Sequence, residues 1–143
     1  MANILIMEDD IALATYWQNF LEMHDHRVVC CSTVARTIEQ TSYMDVDLII
    51  ADMMIKVDGE LVPEGGLTLL CKRITGALPS VPILGVSGRK PDPKIYATSP
   101  LQIAEGMGID MVLYKPIPLE ILLDAIEQLL AKLNTSKPNS SPE

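Results

Sequence analysis

The chain has 143 residues, 48% of them hydrophobic and 21% charged, with a mean hydropathy of +0.24. A chain of this size buries roughly 68–70% of its unfolded surface, so it forms one self-supporting domain, and intrinsic disorder of the whole is excluded. The charged residues, 11 Lys and Arg against 19 Asp and Glu, give a net charge of −8, the wrong sign for direct contact with a nucleic-acid backbone.

In chain order, a first apolar run at Ile4–Met7 reads as a strand buried on both faces. Ala14, Trp17 and Leu21, with Leu13 and Phe20 beside them, then share one face of a helix. A second strand follows at Val28–Cys31, and Ser32-Thr33 opens a helix over Val34–Gln40. The third strand is Leu48–Ala51, and a helix over Gly66–Thr75 is closed by Gly76. After a fourth strand at Ile83–Val86, Ser99-Pro100-Leu101-Gln102 forms a capping box with proline at the first helical position, and Gly106 or Gly108 supplies a left-handed stop. The fifth strand is Met111–Tyr114, and Leu122, Ala125, Ile126, Leu129 and Leu133 mark a final helix. Strand and helix alternate five times, which predicts an α/β fold with a doubly wound five-stranded parallel sheet covered on both faces. The domain is expected over residues 1–133, with a disordered polar tail over 134–143.

Cys30, Cys31 and Cys71 match no metal-ligand spacing and read as reduced, buried thiols in a reducing compartment. His24 and His26, in a helix-to-strand turn without further ligands, do not read as a metal site. The short apolar stretch before Glu8 is too brief for a secretory signal, and no window approaches the roughly 18 apolar residues of a membrane span. The expected location is the cytoplasm.

In an open parallel sheet the ligand crevice lies outside the carboxyl ends of the strands. There the sequence places Glu8-Asp9-Asp10 after strand one, Asp52 after strand three, Ser87-Gly88 after strand four and Lys115-Pro116 after strand five. Three carboxylates within about 5 Å of one another repel by roughly 3 kcal/mol per pair at an effective dielectric of 20, so the site needs a cation or protons. Carboxylate oxygens without a nearby His or Cys suit Mg²⁺. Lys115 is aimed at the same rim, where its ammonium can pair with an anionic group, and Ser87 offers a hydroxyl donor.

This order resembles the response-regulator receiver family, the CheY-like phosphoacceptor modules of two-component signalling, over essentially Asn3 to Leu133. The resemblance implies a flavodoxin-like (βα)5 fold and a phosphoryl transfer in which the Asp52 carboxylate attacks a phosphohistidine or small acyl phosphate. By the same resemblance Mg²⁺ is held by Asp9, Asp52 and the carbonyl of Met54, with Glu8 reaching it through water. Lys115 and Ser87 bind the phosphoryl oxygens, and the Lys115–Pro116 bond is cis. Asp10 falls outside the family's acidic pair and starts the first helix. The module is not an enzyme in the ordinary sense, since it catalyses only its own phosphorylation and dephosphorylation. The implied partners are a histidine kinase or histidine phosphotransfer protein and a downstream protein target, with signalling by a stand-alone receiver through protein contacts.

Several residues depart from the family pattern. The switch aromatic, three residues before the lysine, is replaced by Val112, and Tyr114 is not its substitute. The proline four residues after the phosphoacceptor is replaced by Lys56. Met54 and Arg89 are bulky where attacking water passes, which implies slowed hydrolysis. The connections 53–65 and 88–99 are longer than in a minimal receiver and carry opposite charges, Asp58, Glu60 and Glu64 on one and Arg89, Lys90 and Lys94 on the other; they read as tolerated surface insertions, with gating of partner or water access as the alternative hypothesis. These departures motivate an alternative, a receiver-like adaptor whose partner binding is independent of phosphorylation. A magnesium phosphatase working through an aspartyl intermediate would require an Asp-x-Asp motif, which Asp52-Met53-Met54 lacks.

Overall fold

The computed structural model describes residues 1–53, 55–57, 60–62, 65–88 and 106–136. Its elements are β1 (Asn3–Met7), α1 (Ile11–Glu22), β2 (Arg27–Cys31), α2 (Val34–Gln40), β3 (Leu48–Asp52), β4 (Ile55–Val57), β5 (Glu60–Val62), α3 (Gly66–Thr75), β6 (Ile83–Ser87), β7 (Met111–Tyr114) and α4 (Leu119–Ser136). Five strands pair in parallel in the order β2-β1-β3-β6-β7. The chain therefore builds outward in one direction from β1 and then in the other from β3, the doubly wound arrangement expected from the alternation of elements.

Period-two alternation along the strands divides the apolar residues between two cores. Ile4, Ile6, Leu48, Ile50, Leu84 and Val86 pack under α1 and α4, against Trp17, Leu21, Leu122 and Ile126. Leu5, Met7, Ile49, Ala51 and Ile83 face the other way, against Leu69 and Leu70 of α3, with Val34 and Ile38 of α2 alongside. The residues of α1 that are buried are Ala14, Trp17 and Leu21, the face expected from their spacing. Caps fix the helix ends. Asp10 Oδ1 accepts the Leu13 backbone N–H at 3.1 Å, Thr33 Oγ1 accepts that of Arg36 at 3.1 Å, and Gly76 ends α3 with φ 87°.

Three expectations need correction. Only the inner strands are buried on both faces. β2 and β7 are the sheet edges, so Arg27 and Cys30 are exposed and every residue of β7 is half-buried. Of the three free cysteines, Cys31 alone is buried. Cys30 sits at the uncovered sheet edge, where its Sγ lies 3.8 Å from the Ala14 carbonyl and 3.6 Å from Gln18 Oε1, and Cys71 is on the outer side of α3. The connection after Asp52 also carries regular structure, because β4 and β5 form a separate two-stranded antiparallel ribbon.

The final helix reaches Ser136, past the expected domain limit at 133 and into the segment read as tail. The capping box at Ser99 and the helix expected from it, apart from its end at Gly106, lie outside the described residues; Gly108, one of the two proposed stops, has φ 85°.

At the end of the sheet opposite the carboxyl termini, Arg73 ties three segments together. Its Nη1 lies 2.6 Å from Asp110 Oδ2 and 3.0 Å from the Val81 carbonyl, and its Nη2 donates to the Gly108 carbonyl at 3.0 Å. The same Asp110 oxygen accepts the Ile83 N–H at 2.8 Å. This joins α3 to the starts of β6 and β7. His24 and His26 hold separate partners, the Phe20 carbonyl at 3.0 Å and the Ala2 N–H at 3.2 Å.

Candidate functional site

The strand ends that carry the acidic residues are brought together by pairing register. Ile6 pairs with Ile50 and Met7 with Ala51, so β1 and β3 finish side by side, with Glu8 following one and Asp52 closing the other. Carboxylate oxygens of Glu8, Asp9 and Asp52 lie within 4.8 Å of one another, the one such acidic or thiol/imidazole cluster among the described residues. β3 and β6 are likewise aligned, with Asp52 opposite Val86. Ser87 then ends β6 and pairs with Tyr114, and its carbonyl accepts the Lys115 N–H at 2.7 Å. The Lys115–Pro116 peptide is cis.

Lys115 changes the electrostatics anticipated for three bare carboxylates. Its Nζ is 2.7 Å from Glu8 Oε1 and 3.1 Å from Asp52 Oδ2. Glu8 is 2% exposed and Asp52 5%. Glu8 Oε2 accepts the Asp10 N–H at 3.1 Å, whereas Oε1 faces the ammonium without an aligned hydrogen bond. Burial pushes the Glu8 carboxyl up from 4.5 to about 7, against the opposing pull of Lys115 and the Asp10 N–H and with help from the Asp52 charge. Burial alone would lower Lys115, but Glu8 and Asp52 outweigh it and hold the ammonium above its ordinary value. The repulsion is thus met from two directions, by a lysine cation and by the readiness of Glu8 to keep a proton.

The residues fit a divalent ion. Three hard carboxylates converge with no imidazole or thiolate among them, and a buried Glu8 oxygen lacks an aligned donor, a donor set suited to Mg²⁺. The expected fourth ligand, the Met54 carbonyl, lies outside the described residues. So do Arg89 and the loop charges Asp58, Glu64, Lys90 and Lys94, while Glu60 begins β5.

The response regulator receiver domain model matches residues 4–127 of the chain. The chain belongs to the response-regulator receiver family. Its role is accordingly in response-regulator signalling, and the receiver carries the acidic cluster through which members of the family bind Mg²⁺. The receiver superposes on the chemotaxis protein CheY4 of Vibrio cholerae with a TM-score of 0.74 and 21% identity, covering 91% of this chain and 99% of that one. A two-component response regulator from Clostridium difficile gives 0.73 and 26%, covering 94% and 99%. A CheY-like receiver domain protein from Methanospirillum hungatei JF-1 gives 0.75 and 20%, covering 94% and 98%. No curated protein sequence matches.

Two features of the receiver site escaped sequence reasoning. One is the direct Glu8–Lys115 pair, which no spacing rule announces across so long a separation. The other is Gly65, where an added Cβ would collide with the Asp52 carbonyl as the chain turns into α3. The Gly65-Gly66 pair at the start of that helix was the available signal.

Proposed function

We propose that Asp52 is the phosphoacceptor of this receiver. A carboxylate oxygen of Asp52 attacks the phosphorus of a phosphohistidine or small acyl phosphate. The new O–P bond forms as the P–N or P–O bond of the donor breaks, and the imidazole or carboxylate leaves with its electron pair. Asp9, Asp52 and the Met54 carbonyl are the ligands assigned to Mg²⁺, with Glu8 acting through water. When bound, that ion supplies positive charge beside the phosphoryl oxygens. Lys115 and Ser87 neutralise and orient the same oxygens, and transfer of a phosphoryl group gives Lys115 a new anionic partner in place of its two carboxylates.

The observation that carries this reading is the meeting of Lys115 Nζ with Asp52 Oδ2 at 3.1 Å beside the Glu8, Asp9 and Asp52 cluster. The donor is a histidine kinase or histidine phosphotransfer protein, and output passes through a phosphorylation-dependent protein contact. We place the receiver in the cytoplasm, where its free thiols stay reduced; no described helix is long and apolar enough to cross a membrane.

Incubation with Mg²⁺ and a small acyl phosphate, read by intact mass, tests the proposal. The wild type should gain one phosphoryl mass that Asp52→Asn does not. Equal gain by both chains would refute Asp52 as the acceptor.

A further inference from the structure

Asp52 pairs in register with Val86, which packs under α1 and α4, so the Asp52 carboxylate projects on that side of the sheet. Met53, the next residue, turns the other way. It is 1% exposed and lies in the core beside α3. Its backbone N–H extends the sheet ladder past Asp52, donating to the Val86 carbonyl at 2.9 Å. The backbone that carries Asp52 is therefore held from the opposite face by the side chain that follows it.

Two glycines admit that side chain. A Cβ on Gly66, the first residue of α3, would come within 2.5 Å of Met53 Sδ and 3.4 Å of its Cε, and one on Gly85 of β6 would come within 2.9 Å of the same sulfur. Neither position needs glycine for its backbone, since the positive-φ glycines among the described residues are Gly76 and Gly108. Glycine is less favourable than alanine in both a helix and a strand, so what these two positions supply is room. The thioether fills it, because an unbranched, polarizable side chain suits so irregular a gap. Met53 thus braces the end of β3 against α3 and β6 together. Gly65 completes the grip, since a Cβ there would collide with the Asp52 carbonyl.

We propose that Met53 is a positioning residue for phosphoryl transfer, its sulfur seated between Gly66 and Gly85 so that the Asp52 backbone aims the carboxylate in line at phosphorus. The Asp52 oxygen bonds to phosphorus as the donor leaves with its electron pair, and misplacing an attacking group by about 1 Å costs up to about 100-fold in rate. Met53 acts through the Asp52 backbone and not on the donor. The inference rests on Asp52 as the acceptor and names the feature that orients it.

The test follows phosphorylation of the full chain by a small acyl phosphate at saturating Mg²⁺, read by intact mass across donor concentrations. Met53→Ala should lower the maximal rate at least about threefold and leave the half-saturating donor concentration within about twofold of wild type. Leu78→Ala, in the same core but beyond the far end of α3, should keep the wild-type maximal rate. Gly66→Ala should also slow transfer, because its methyl group meets the sulfur, and should slow it no further once Met53 is replaced by Ala. Should Met53→Ala fail to fold, Met53→Val replaces it and should show the same loss. A wild-type maximal rate in the Ala or Val variant, an equal loss in Leu78→Ala, or a Gly66→Ala loss that multiplies with that of Met53→Ala would overturn the inference alone. A wild type that gains no phosphate would overturn the acceptor reading and this inference with it.

Discussion

Glu8 should make the receiver lose stability as pH rises, and Glu8→Gln should remove that loss. The carboxyl is 2% exposed, with one oxygen 2.7 Å from Lys115 Nζ and the other held by the Asp10 N–H. In the folded chain it keeps its proton to about 7, whereas the ordinary value is 4.5. Between these values the folded state binds more protons than the unfolded state, so stability falls as pH rises, with the full cost present above about 7. At about 1.4 kcal/mol per pH unit the interval corresponds to about 3 kcal/mol. Gln is close in shape to the protonated carboxyl and does not ionise. Urea unfolding of both chains with divalent ions chelated, at about pH 5 and about pH 8, should show the variant gaining roughly 2–3 kcal/mol on the wild type, since a little of the change is already complete at pH 5. An equal difference between the two chains at both pH values would refute the argument, because it would mean that Glu8 ionises alike in the folded and unfolded states.

Gly65→Ala should destabilise the fold by about 1–3 kcal/mol in the same assay, because the new methyl group meets the Asp52 carbonyl, which is backbone and cannot swing aside. It should also slow phosphorylation by displacing the acceptor strand end; unaltered stability and rate would contradict the close approach. Arg73→Ala should cost about 1–3 kcal/mol by removing the ion pair to Asp110, which keeps only the Ile83 N–H, and the side-chain donor to the Val81 and Gly108 carbonyls. The phosphorylation rate should be nearly unchanged, since that tie lies at the far end of the sheet.

The inner architecture was legible because burial leaves a strong imprint on sequence. Ile4–Met7 and Leu48–Ala51 are uninterrupted apolar runs because both sheet faces are covered, and Ala14, Trp17 and Leu21 repeat at helical spacing because one side of α1 meets the sheet. Glu8, Asp9, Asp52, Ser87 and Lys115 stood out because a polar residue ending such a run sits at the rim where ligands bind. Strand order left no such imprint. Nothing in Val28–Cys31 distinguishes an edge strand from a central one, so the apolar run alone predicts a buried Cys30.

The β4–β5 ribbon was missed although its sequence carries Asp58-Gly59 between Val57 and Glu60, a strong two-residue hairpin signal. The role of Lys115 toward Glu8 was hidden for a different reason, since it depends on the distance between two strand ends, which register and twist determine and local pattern does not.

Asp52, placed among Glu8, Asp9 and Lys115, is the proposed target of phosphoryl transfer. Borohydride reduction of the acyl-phosphate-treated receiver, followed by peptide mass spectrometry, tests it most directly, because the hydride converts an aspartyl phosphate to homoserine at the residue that bore it. Homoserine should appear at position 52, dependent on Mg²⁺ and on Lys115. Homoserine at Asp9 or Asp10, or none at position 52 in a chain that has gained a phosphoryl mass, would contradict it.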